Sequence, residues 1–312
     1  MTTFSDVLLY TLEATEELNQ RLAAVIKSES ALKVCNESAT YYALANEGFT
    51  DKVKEYAAAA WKFIKDLVNK IKDYIVSAYK KVRDFIAKKI AAIKAKFSKK
   101  EGGEEKPAEA KPEAKASEAA DDFRYYVGAS SFDEFTKMEA LVKSVEDAFD
   151  IETIGHNLKA MSDEDIASSR KEAEESGEGG IKQAMKAAAM ASISGMRVNK
   201  VAANSYSSVA AAYVANYNKV AEKAFKSVAN IANSLEKFAN SLNTNAEYTS
   251  EQVSFAKFMA SNMGKVASII TSIRTRSVAL DLSLVPATGF ISEEAAKSAF
   301  DEYKEKSAAL YE

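Results

Sequence analysis

Residues 51–98 read DKVKEYAAAAWKFIKDLVNKIKDYIVSAYKKVRDFIAKKIAAIKAKFS. Val53, Ala57, Ala60, Ile64, Leu67, Ile71, Ile75, Ala78, Val82, Ile86, Ile90, Ile93 and Phe97 follow one another at steps of three and four. No Gly or Pro interrupts them. That spacing is the 3.6-residue period of an amphipathic α-helix, and it predicts one helix of roughly 70 Å. Lysines fill its other faces, and Trp61, Phe63, Tyr74, Tyr79 and Phe85 stand on or beside its apolar stripe.

Working outward, the same period recurs. Val7, Leu8, Leu12, Leu18, Leu22, Val25, Ile26 and Leu32 predict a helix over 5–33, with Ser5 as its cap. Residues 99–121, KKEGGEEKPAEAKPEAKASEAAD, hold two of the three prolines and no aromatic or branched aliphatic residue, so they predict a disordered linker. Phe135, Met138, Leu141, Val142, Val145 and Phe149 predict a helix over 130–150. Ser162 with Asp165 resembles a capping box, opening a helix that runs to the GEGG at 177–180. A second long helix is expected over about 181–243, its small residues allowing close approach of an antiparallel partner. That partner runs over about 250–280, and Ser292 caps a last helix to about 309. No strand signal and no periodic repeat stand out.

The expected fold class is therefore all-α, with long amphipathic helices in hairpins and a bundle, a disordered linker and no sheet. The chain divides into an acidic helical leader (1–47), a long basic amphipathic helix (48–98), the linker (99–121) and a helical bundle (122–312). The bundle holds a long antiparallel hairpin over about 181–280.

Composition agrees. The 312 residues include only 11 Gly and 3 Pro, against average usage of roughly 7% and 5%, which nearly excludes a turn-dense β fold. One Cys (Cys35) excludes an intramolecular disulfide and any Cys-rich metal site, and reads as a small buried hydrophobe. One His makes any Ser-His-Asp or Cys-His enzyme depend on His156, which reads instead as a polar residue at a helix start. There is no Walker loop, no GxGxxG and no nucleophile elbow. The sequence thus predicts no catalytic residues, no cofactor and no metal. No secretory signal opens the chain, and no run of about 18 apolar residues predicts a transmembrane helix.

Charge is segregated. Residues 1–47 carry 3 basic and 7 acidic groups, residues 52–100 carry 15 and 4, and residues 101–180 carry 9 and 22. A balance of +11 over 49 residues exceeds what solubility requires and points to a polyanion or a membrane surface as partner. The candidate polyanion-binding residues are Lys62, Lys65, Lys70, Lys72, Lys80, Lys81, Arg83, Lys88, Lys89, Lys94 and Lys96. Fourteen of the fifteen cations are lysine, which suits phosphate contact more than base readout by bidentate Arg. The partner expected on this reading is DNA held by non-specific charge contacts, or an anionic membrane surface. As a membrane-surface helix, the same segment would insert Trp61, Phe63 and Ile64.

Residues 41–49, YYALANEGF, directly precede the basic helix. This junction resembles the propeptide junction of internal head (prohead core, inner body) proteins of large tailed phages, the phiKZ-like and T-even groups. In those families an N-terminal helical segment directs the protein into the prohead. A prohead protease then cuts after a glutamate in a small-residue-X-Glu context. Ala45-Asn46-Glu47 before Gly48 fits that pattern, and so does Ala116-Ser117-Glu118 in the predicted linker. Ser144-Val145-Glu146 and Ser234-Leu235-Glu236 fit it too, inside predicted helices. The leader is longer than the T-even type and resembles the phiKZ-like arrangement more.

The resemblance implies a non-enzymatic virion protein, made as a precursor in the host cytoplasm, cut after Glu47 and packaged with DNA inside the head. Its implied partners are capsid or prohead proteins and the prohead protease, with homo-oligomers through the helices. Two alternatives stay open: a membrane-surface or pore-forming-like α-helical protein, and a coiled-coil scaffold.

Overall fold

The apolar stripe of residues 51–98 needs cover along its whole length, and a computed structural model shows what supplies it. The structure describes residues 49–98, 122–129, 132–175, 177–242 and 247–312. The expected leader helix (5–33), the cleavage positions Ala45, Asn46, Glu47 and Gly48, and the linker with Ala116, Ser117 and Glu118 lie outside the described residues.

The elements run α1 (Phe49–Ser98), β1 (Phe123–Ala129), α2 (Asp133–Phe149), α3 (Ile151–Asn157), a 3-10 turn (Leu158–Ala160), α4 (Asp163–Glu175), α5 (Glu178–Gly195), β2 (Met196–Ala202), α6 (Tyr206–Ser241), α7 (Ser250–Ser283) and α8 (Glu293–Ala309). Among the described residues the protein is mostly helical, with one small antiparallel sheet. The expectation of no sheet is corrected by β1 and β2, which pair from Phe123↔Ala202 to Ala129↔Met196. The expected single helix over 181–243 is corrected with it. It is two helices, α5 and α6, separated by β2, and the first arm of the hairpin starts at Tyr206.

The physical reason lies in the pairing. Tyr125, Tyr126 and Val127 on β1, and Val198 and Val201 on β2, are strand formers. Their partners lie some 70 positions away, so no local hairpin signal announces either strand. The segment after α7 seals the outer edge of β1. Tyr125 and Phe290 exchange backbone hydrogen bonds, and the Val127 N–H donates to the Leu284 carbonyl. The turn before Phe290 needs Gly289 at φ 72°, and a Cβ there would also meet the Tyr206 ring and Arg124.

The described residues fall into two compact units. One is built from residues up to Ser77, from Ala140–Ala184 and from Lys226–Ser272. Its core joins Ile64, Leu67 and Ile71 of α1 to Val142, Val145 and Phe149 of α2, Ile231 and Phe238 of α6, and Val253, Met259 and Met263 of α7. Gly264 lets α7 pass close to α1, since a Cβ there would lie 2.8 Å from Ile71 and 3.4 Å from Leu67. The other unit takes Ala78–Glu139, Met185–Phe225 and Ile273–Glu312. Its core holds Val82, Ile86 and Ile93 of α1, Val214 and Tyr217 of α6, and Val278 and Leu282 of α7. A cluster under the sheet adds Val127, Ile193, Met196, Leu284, Ala296 and Tyr303.

Caps fix several helix starts. The Asp165 N–H donates to Ser162 Oγ while the Ser162 N–H donates to the Asp165 carboxylate, a reciprocal box. Ser162 thereby holds the Asp165 carboxyl below the usual range. Thr249 forms the same box with Gln252 at the start of α7. Ser292 caps α8 by accepting from the Ala295 N–H.

If the α1 stripe is core, its residues carry stability and its outer face does not. Ile64→Ala is expected to cost about 2–5 kcal/mol. Val76→Ala, at 65% exposure, is expected to change stability by less than about 0.5 kcal/mol. Urea unfolding of the two variants checks the contrast.

Candidate functional site

The stripe of α1 turns inward, so its lysines are what the helix presents to solvent. Lys62, Lys65, Lys70, Lys80, Lys81, Arg83, Lys88 and Lys94 are exposed. Lys72 is half-buried and pairs with Glu236 of α6. Arg83 lies 3.6 Å from its neighbour Asp84. Lys96 lies in α1, but its side chain is outside the described ones. The structure thus brings most of the predicted cations onto one solvated helix surface.

Lys89 departs from the others. It lies three residues after Ile86 and four before Ile93, so it takes a position on the inward stripe. It is half-buried, and burial pulls its ammonium down to about 8.

The residues expected as a membrane-insertion face are committed elsewhere. Trp61 is 2% exposed and Ile64 is fully buried. The Trp61 ring meets Tyr248 edge-on at 5.4 Å. Phe63 is half-buried beneath the ammonium of Lys257 from α7, 5.3 Å from its ring centre. In this fold the aromatic edge of α1 packs against the start of α7.

The motif copies inside helices are also placed. Leu235 and Val145, the central residues of Ser234-Leu235-Glu236 and Ser144-Val145-Glu146, are buried. The Ser234 hydroxyl donates to the Glu146 carboxylate at 2.8 Å, tying the two copies together across α6 and α2. A protease must bind its target extended, so these copies are shielded while the helices stand. For the copy ending at Glu47, α1 begins two residues later, at Phe49.

His156 is exposed near the end of α3. Asp150, before α3, adopts the left-handed region at φ 40° and joins α2 to α3. Glu152, on the same short helix, pairs with Lys237 of α6.

One polar constellation escaped the sequence reading. Asp281 of α7 is buried and accepts hydrogen bonds from Tyr217 of α6 and, at 2.8 Å, from Tyr303 of α8. Burial pushes its carboxyl above the usual range, against the pull of the two hydroxyls and of the Arg274 guanidinium. Arg274 is 1% exposed. The signal was present: two opposite charges, Arg274 and Asp281, seven positions apart on one helix. The arrangement clamps α6, α7 and α8 together. Tyr217, early in α6, meets Asp281, late in α7, as antiparallel arms require.

Comparison with family models, curated proteins and solved structures finds no match to this chain.

Lys89 gives a pH test of the inward stripe. Its folded value, about 8, lies below its ordinary 10.5. The unfolded chain therefore holds this proton more tightly than the folded one. Stability should rise as pH climbs from about 8 to 10.5. Lys89→Met is expected to be more stable than the natural chain at pH 7 and to lose that rise. Urea unfolding between pH 7 and 11 reads both effects.

Proposed function

We propose that this is a non-enzymatic internal head protein of a large tailed phage, made as a precursor, targeted to the prohead, cut after Glu47 and packaged with DNA. The observation that carries the reading is the surface of α1, where a row of exposed lysines stands over a stripe already used by the core. A helix so built contacts a partner by charge. Lysines with almost no arginine suit phosphate backbones approached without sequence preference.

Three further features support the reading. Residues 1–47 are acidic and adjoin a basic helix, an arrangement that restrains DNA contact until the leader is removed. The Glu47 site lies just before α1. The two motif copies in α2 and α6 are sheltered by packing, which would direct a protease to Glu47 and Glu118. The membrane-surface alternative loses ground because Trp61 and Ile64 are already buried. A role in assembly with capsid or prohead proteins, or with further copies of itself, is compatible with the long helices.

The N-terminal sequence and intact mass of the protein from its native particle test the reading. The expected mature chain starts at Gly48, with a second start at Ala119 where the linker is also cut. A chain beginning at residue 1 or 2 would overturn the precursor reading.

A further inference from the structure

The first half of α1 repeats in its second half. Residues 53–70, VKEYAAAAWKFIKDLVNK, align without gaps on residues 71–88, IKDYIVSAYKKVRDFIAK. Lys, Tyr, Ala, Lys, Asp and Lys are identical at 54/72, 56/74, 60/78, 62/80, 66/84 and 70/88. A buried stripe explains the matching apolar positions, because any two stretches of one amphipathic helix share them. It does not explain the charges. Every charged residue of the first copy, Lys54, Glu55, Lys62, Lys65, Asp66 and Lys70, has a residue of the same sign in the second: Lys72, Asp73, Lys80, Arg83, Asp84 and Lys88. The expectation of no periodic repeat is corrected here.

Eighteen residues make five turns, so each residue and its counterpart take the same angular position on the helix. At about 100° per residue, the solvent face divides alike in both copies, except that exposed Lys81 stands where the first copy has Phe63. Lys65 and then Lys62 lie on one side of the acids, as Arg83 and Lys80 do in the second copy, with Lys62 and Lys80 about 20° from the nearest acid. Glu55 and Asp66, then Asp73 and Asp84, form an acidic line down the middle. Lys70 and Lys88 lie on the far edge. All of these residues are exposed. Lys54 and Lys72 sit beside the first edge, where Lys72 is taken up by Glu236.

We infer that Lys62 with Lys65, and Lys80 with Arg83, are two equivalent phosphate-binding sites for the backbone of duplex DNA, one in each compact unit. This rests on the polyanion reading of α1 and names its partner and its residues. The acids separate Lys62 and Lys65 from Lys70, and Lys80 and Arg83 from Lys88, so each site takes two phosphates on its own side of the acids. An anionic bilayer is a poorer partner, since it would gain no apolar contact from a stripe already buried.

The test uses the full chain and a 30-base-pair duplex of arbitrary sequence, with binding measured by fluorescence anisotropy over a range of NaCl concentrations. Neutralising two phosphate contacts lowers the slope of log K against log salt by about 1.8. K62Q/K65Q and K80Q/R83Q are each expected to lower it by that amount, and the fourfold variant by about 3.6. K143Q/K171Q, at exposed lysines of α2 and α4, is expected to leave it unchanged, and K70Q/K88Q to lower it by less than either site variant. All four positions of the two sites are exposed, and circular dichroism reports whether each variant keeps its helices. Equal losses from K70Q/K88Q and the two site variants would overturn the inference while leaving DNA binding intact. Unequal losses between the two site variants would overturn their equivalence. A natural chain that binds phosphatidylserine vesicles but no duplex would overturn the polyanion reading of α1 as a DNA contact, and the inference with it.

Discussion

α7 gives little of its surface to water. From Ile270 to Thr275 every residue is buried, and Val253, Phe255, Met259, Met263 and Val266 precede them at closely spaced buried positions. A helix buried round most of its circumference is stable only when neighbours cover that much of it. In the first unit α1 does so through Leu67 and Ile71, which close on Gly264. In the second, α6 and α8 do so through Tyr217 and Tyr303, whose hydroxyls satisfy Asp281. Burying that carboxylate without those donors would leave a desolvated charge, which proteins seldom tolerate. The demand of α7 for cover also decides which side of α1 turns inward.

That choice decides the chemistry of the surface. With its stripe consumed by the core, α1 offers only its polar side, and that side is lysine-rich. An amphipathic helix left free could sink its apolar face into a membrane. This one has Trp61 against Tyr248 and Phe63 under Lys257. The same packing shelters the Ser-X-Glu copies of α2 and α6. Folding therefore sorts chemically similar features, keeping some apolar residues and the centres of the Ser-X-Glu copies inside while most lysines of α1 face solvent.

Much of this was legible from local pattern. The three-and-four spacing from Val53 to Phe97 gave α1 nearly to its ends. Ser162 with Asp165, and Ser292, announced their helices because a cap acts within four residues. What failed was what depends on distance. Met196–Ala202 becomes a strand because Phe123–Ala129 lies beside it, and nothing local declares that partner. Lys89 looked like one more surface lysine, because a single cation does not break a stripe that long. Arg274 and Asp281 carry no local sign of burial, since their mutual compensation needs Tyr217 and Tyr303 from other helices. The tandem copy in α1 was hidden by the stripe itself, and only the signs of its charges reveal it.

The central claim is that α1 spends its apolar face on the fold, which leaves its exposed cations for the proposed contact. Trp61 is the single tryptophan of the chain and lies on that face. Acrylamide quenching of its fluorescence therefore reads the claim directly, in the free protein, with duplex DNA at low salt, and with phosphatidylserine vesicles. The expected result is a Trp61 shielded in the free chain and equally shielded when DNA is bound. A Trp61 open to acrylamide in the free chain, or one whose emission shifts to the blue only on vesicles, would contradict it.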